Sequence, residues 1–184
     1  MQRILIVIIA CLASWQSIVR VDEVDQASHF FTQLYTKTCV KHADQMQNLV
    51  DNFSAIETKQ LSRGKAAFFL QNQPGKVWVI PNLVGDYLVS IEPDGRCSVY
   101  THNVNINKIE QNFIRLLEKT PSSYRLQKIQ DETLQTPLGP AHFIRYIRTN
   151  IADNSSQAFM LQTTNAQGAE IQAKAVVEPV IFAQ

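Results

Sequence analysis

Residues 87–101 read YLVSIEPDGRCSVYT. Tyr87, Val89 and Ile91 alternate with Leu88 and Ser90, and Cys97 and Val99 alternate with Ser98 and Tyr100. A period of two residues places alternate side chains on opposite faces, as in a strand. Between the two runs, Pro93 fixes φ at the first corner and Gly95 takes a left-handed position. The stretch predicts a β-hairpin over 86–102 with the three-residue loop Pro93-Asp94-Gly95. Just upstream, Val77-Trp78-Val79-Ile80 is a β-prone run ended by Pro81.

The flanks change period. From Asp25 to Cys39, Phe30, Phe31, Leu34, Tyr35 and Cys39 recur at helical spacing, with Asp22, Glu23 and Asp25 at the start, where the helix dipole favours negative charge. Met46, Leu49, Val50 and Phe53 predict a second helix. After the hairpin, Asn107 offers a cap, Glu110 completes a capping box, and Ile109, Phe113, Leu116 and Leu117 form an apolar stripe ended by Thr120-Pro121. The last third predicts strands over Tyr124–Asp131, His142–Arg148, Gln157–Thr164 and Ile171–Val177, separated by turn residues. Consecutive strands with short turns form an antiparallel meander. The expected fold is α+β: N-terminal helices, then an antiparallel sheet with one long amphipathic helix between two β-rich parts.

The chain begins MQRILIVIIACLASWQS. Arg3, an apolar run from Ile4 to Ala13 and small residues have the layout of a secretory leader. Residues 1–13 are expected to be cleaved, after Ala13 or Ser14. Residues 21–184 then form a single α+β domain, and the protein is periplasmic or secreted. Ile8-Ile9-Ala10-Cys11 also fits a lipobox, in which Cys11 is lipidated and the protein sits on a membrane. Of three cysteines, Cys39 and Cys97 remain after export, and an isolated pair in an oxidising compartment forms a disulfide.

The 184-residue chain is 45% hydrophobic, which excludes disorder. Its net charge of +1 is spread evenly, and no basic patch argues for a nucleic-acid partner. No CxxC, HExxH, GxSxG, GxGxxG or P-loop occurs, so no catalytic, cofactor or metal residue is assigned. His29, His42, His102 and His142 are scattered. Asp86 and Asp94 read as turn chemistry, and Glu92/Asp94 and Asp131-Glu132 lack evidence of a shared proton. Arg145 and Arg148, beside Tyr146, suit either a phosphate or carboxylate contact or the solvated face of a strand. Phe68, Phe69, Trp78, Tyr87 and Tyr100 suit core packing before a ligand cavity.

Phe31 and Cys39, then Trp78, then Gly95-Arg96-Cys97-Ser98-Val99 and a following helix form a pattern over roughly residues 25–120. It resembles a group of small exported bacterial proteins with an aromatic helix ending in cysteine, a tryptophan strand and a Gly-x-Cys-x-Val hairpin. The resemblance implies export and paired cysteines, and implies no activity. The expected function is non-enzymatic: binding another protein or an envelope component, as an accessory subunit or inhibitor. The alternatives are a small apolar-ligand carrier, with its cavity between the sheet and the Asn107 helix, and an envelope hydrolase.

Overall fold

The computed structural model describes residues 23–55, 58–166 and 168–180; the expected leader over 1–13 and Cys11 lie outside them. Helix α1 covers 23–35 and runs on as a π-helical turn, Thr36–Val40. Helix α2 is Met46–Ala55, the short strand β1 is Lys59–Gln60 and helix α3 is Arg63–Phe69. Strands β2 (Lys76–Ile80), β3 (Tyr87–Ile91) and β4 (Cys97–Thr101) precede helix α4 (Ile106–Glu118). Strands β5 (Tyr124–Thr136), β6 (Gly139–Asn150), β7 (Ser156–Thr163) and β8 (Ala173–Pro179) complete the fold. All join one antiparallel sheet in the order β1-β2-β3-β4-β8-β7-β6-β5. The fold is α+β, as the alternation of periods predicts. No helix among the described residues is long and apolar enough to cross a membrane.

The hairpin forms on the expected loop. Glu92 and Arg96 close it, with the Glu92 amide donating to the Arg96 carbonyl (2.9 Å) and the Gly95 amide to the Glu92 carbonyl (3.0 Å). Gly95 has φ +87°, which a side chain would strain.

Period two then sorts the sheet. Cys97 and Val99 of β4, Ala175 and Val177 of β8 and Phe159 and Leu161 of β7 are buried on one face. Phe31 and Tyr35 of α1, Phe53 of α2 and Ile109, Phe113 and Leu117 of α4 cover that face as one core. The rings of Phe53 and Trp78 (5.1 Å) and of Tyr35 and Phe113 (6.1 Å) pack within it. Cys39 and Cys97 are bonded, with Cα atoms 5.3 Å apart, and the bond fixes the end of the α1 segment to β4.

The elements depart from the sequence reading in three places. First, α3 and β1 were not expected. Helix α3 has only seven residues and no side-chain cap bond at Ser62. It is held by tertiary contact, Ala66 and Leu70 packing with Val77 against the other face of the sheet. Second, the cap of α4 is Asn105, whose side chain accepts from the Lys108 amide. Asn107 and Glu110 do not form the expected capping box. The helix starts earlier because Asn105 is fixed from outside: its amide donates to the Ser28 hydroxyl (2.8 Å) and its side-chain amide to Asp25 (2.9 Å). Asp25 also pairs with the Lys108 ammonium (2.5 Å). Third, the centre of the space between the sheet and α4 is filled by the core just described, and a pocket of about 340 Å³ at its edge is lined largely by polar residues, among them Asn107, Glu110, Thr133 and His142.

The disulfide closes a sequence separation of 58 residues. The chain-entropy relation for a loop of that size gives about 4 kcal/mol. Urea unfolding of Cys39→Ala/Cys97→Ala is therefore expected to show a loss near that figure. Dithiothreitol should bring the wild type to the variant's midpoint and leave the variant unchanged. Truncating Phe113 to Ala is expected to cost about 3–5 kcal/mol, as a large aromatic lost from a packed core.

Candidate functional site

The face of the sheet away from α1, α2 and α4 is only partly covered. Helix α3 shields β2 and β3. The β5–β6 turn and the β7–β8 loop meet over the far side, where the Thr164 hydroxyl donates to the Pro140 carbonyl (2.8 Å). Between these two coverings lies a pocket of about 660 Å³, within the range of small-molecule sites, about 300–1,000 Å³. Phe68, Phe69 and Tyr100 form one wall, and Leu138, Ala141 and Ile171 contribute the other apolar surface. Phe68 is 57% exposed and Leu138 76% exposed.

The first wall is built rigidly. The Tyr100 hydroxyl donates to the Phe69 carbonyl at the end of α3 (2.9 Å) and contacts the Ser90 hydroxyl (3.1 Å). The Phe69 ring lies edge-on to Tyr100 (5.3 Å) and to Phe68 (5.1 Å). Gln71 and Asn72 follow in left-handed backbone, φ +51° and +63°, a conformation that costs non-glycine residues energy. It turns the chain back at the pocket's edge.

Lys174 lies at the base. It stands opposite Tyr100 in the β4–β8 ladder and opposite Gln162 in the β7–β8 ladder. Its ammonium sits 5.3 Å from the centre of the Tyr100 ring. Burial holds the ammonium below its ordinary pKa, against the pull of Glu92 and Glu178 and with that of Arg96. Those three charges are engaged with one another. Arg96 Nε donates to Glu178 (2.7 Å), its guanidinium lies 3.7 Å from Glu92, and Arg145 lies 3.6 Å from Glu178. Glu92 is 8% exposed, and burial raises its pKa.

A second cluster lies on the helix-covered face. His142 Nδ1 is 2.9 Å from Glu110 on α4, and Nε2 is 2.9 Å from Asp131 on β5. Glu110 also accepts from the Thr163 hydroxyl (2.5 Å), and Asp131 pairs with Lys128 (2.7 Å). Carboxyl oxygens face both ring nitrogens, an arrangement that favours the imidazolium, the form that can donate from both. Burial opposes that charge, yet the hydrogen bonds to Glu110 and Asp131 outweigh it and raise the pKa of His142. With both nitrogens engaged, the ring has no free atom with which to take a proton from a substrate.

The other sequence candidates separate. His102 lies beside Asp86 (4.0 Å) at the surface. His29 bonds Gln33 along α1 (2.8 Å). Asp94 accepts from the Arg96 amide within the hairpin loop (3.0 Å). Arg145 belongs to the Glu178 network. Arg148 is not on a solvated face: its guanidinium stacks on Tyr124 (4.8 Å) and Phe159 (4.7 Å) and donates to Gln157 (2.5 Å). Trp78 and Tyr87 are core residues, whereas Phe68, Phe69 and Tyr100 line the pocket. No group of His, Cys, Asp and Glu among the described residues could hold a metal ion. No protein-family model, curated protein or solved structure matches the chain.

The histidine cluster sets a pH dependence. Because the folded pKa of His142 is raised, its stabilising contribution is fully present below the unfolded value, about 6.5. It is lost as pH rises from there through the folded value. His142→Gln is therefore expected to destabilise the protein more at pH 5.5 than at pH 8.5, measured by urea unfolding. Equal losses at both would show that the imidazolium is not held as described.

Proposed function

We propose that the chain is a non-catalytic binding protein of the periplasm or the extracellular space, whose pocket above Tyr100 and Lys174 holds a small amphiphilic component of the cell envelope. The observation that carries this reading is the pocket itself, with aromatic and aliphatic side chains exposed inside a preformed concavity. A folded protein gains nothing from holding Phe68 and Leu138 in water, and apolar surface of this kind marks an interaction site. The Cys39–Cys97 bond supports an oxidising compartment.

Capture of a partner protein at a sheet edge is supported less. The outer edge of β5 is thirteen residues long, and such edges accept added strands. That edge, however, carries a register shift between Lys128 and Gln130 and several exposed charges, the features by which native sheets discourage pairing. A hydrolytic reading would need a free base, and the engaged ring of His142 does not supply one.

The test is fluorescence titration of the disulfide-bonded protein with N-phenyl-1-naphthylamine, a neutral apolar probe. Saturable binding at one site is expected. Phe68→Ala/Leu138→Ala is expected to weaken it by about tenfold, a loss consistent with apolar area withdrawn from the probe. The melting temperature should hold, because both side chains are exposed. Absence of saturable binding, or binding indifferent to the two substitutions, would overturn the reading.

A further inference from the structure

We infer that the pocket selects long-chain carboxylates, with Lys174 as the counter-ion of the carboxylate and the walls of Phe68, Phe69, Leu138 and Ile171 holding the chain. This rests on the binding reading above and adds the chemical class of the ligand.

The charge at the pocket's base is incomplete. Among the described residues the Lys174 ammonium has no ion pair and no hydrogen bond, although the residue is only partly exposed on a central strand. The nearby carboxylates are committed elsewhere. Glu178 is shared by Arg96 and Arg145, and Glu92 is a buried group whose pKa is raised. Glu170, the acidic residue of the lining, is exposed. The lowered pKa of Lys174 reports the same shortage, because a close anion would have offset burial. The Tyr100 ring offers only its π face, a weaker partner than a carboxylate.

The geometry favours a monoanion with two acceptor oxygens. Lys174 supplies one ammonium on a flexible stem. Gln162, its cross-strand neighbour, lines the same pocket, and its side-chain amide makes no hydrogen bond among the described residues. One ammonium and one amide can donate to the two oxygens of a carboxylate. No arginine lines the pocket to provide the bidentate fork that often recognises a phosphate dianion. Polar side chains such as Gln71, Thr136 and Gln172 also line the pocket, but Phe68, Phe69, Leu138, Ala141 and Ile171 provide a connected apolar surface beside Lys174 along which an acyl chain can lie.

The experiment displaces N-phenyl-1-naphthylamine from the disulfide-bonded protein with dodecanoate, dodecanol or dodecyltrimethylammonium, each below its micellar concentration. Dodecanoate is expected to displace the probe at a concentration at least about tenfold lower than dodecanol, with the cation weakest. Lys174→Met keeps the apolar stem and removes the charge. It is expected to abolish the preference for dodecanoate while retaining displacement by dodecanol, and Lys174→Arg is expected to keep the preference. Thermal melts of both variants confirm folding. Equal displacement by dodecanoate and dodecanol in the wild type, or a preference that survives Lys174→Met, overturns the carboxylate assignment and leaves the binding reading standing. No displacement by any of the three overturns both.

Discussion

The ladder between β4 and β8 is the joint of this molecule. Strands β1 to β4 lie before α4, and β5 to β8 lie after it. Neighbouring strands within each half are close in sequence. The β4–β8 ladder alone unites the halves, pairing Cys97 with Val177 and Thr101 with Ala173. Closing a loop of that length carries an entropic cost that a few backbone bonds offset poorly. The joint is reinforced from the helical side. Cys39 binds Cys97, and the buried Tyr35 hydroxyl donates to the Val176 carbonyl (2.7 Å). Both groups come from the end of the α1 segment, so one helix clamps both strands of the ladder.

Alternation along that ladder produces two different surfaces. Cys97, Val99, Ala175 and Val177 face the helices and exclude water. One residue out of phase, Ser98, Tyr100, Lys174 and Val176 face the other way. A strand cannot move one set without moving the other. The disulfide that locks the core therefore also locks Tyr100 and Lys174 at the base of the pocket. The opposite wall is placed with equal economy, since the Tyr100 hydroxyl that leaves the sheet ends on the last carbonyl of α3. A recognition site built on strands held in this way is preorganised, and a ligand loses little in ordering it.

The parts legible in the sequence were those written in local periodicity. The hairpin with Gly95, the stripe of Ile109, Phe113 and Leu117, the four C-terminal strands and the cysteine pair follow from spacing and turn chemistry over a few residues. What stayed hidden depends on contacts distant in sequence. Helix α3 is short, contains Gly64 and exists because Ala66 and Leu70 find Val77. Asn105 rather than Asn107 caps α4 because Ser28 and Asp25 hold it, a fact no window around residue 107 contains. Glu110, Asp131 and His142 are separated along the chain by 32 and 11 residues from one another's ring partner. Likewise Phe69, Tyr100 and Lys174 share no motif; the β4–β8 ladder and the Tyr100 hydroxyl assemble them. Sequence reading favoured core packing for Phe68, Phe69 and Tyr100 alike, and only the structure separates these three, which line the pocket, from Trp78 and Tyr87 in the core.

Two buried-side charges on this sheet show where chemistry remains to be completed. His142 is flanked by carboxylates on both nitrogens, and its partners are themselves tied to Thr163 and Lys128. Both ring nitrogens are engaged, so the cluster ties α4 to β5 and β6 and leaves the imidazole little to offer a visitor. Lys174 is the reverse case. It is desolvated by its neighbours, lies over an aromatic ring and has its nearest carboxylates occupied. Leaving an ammonium in that state costs the folded protein stability. A methionine there would relieve the cost and fill the same space with apolar atoms. The carboxylate ligand proposed above would supply the missing counter-ion to this central-strand ammonium, and the stability forgone at Lys174 would then be returned as binding free energy.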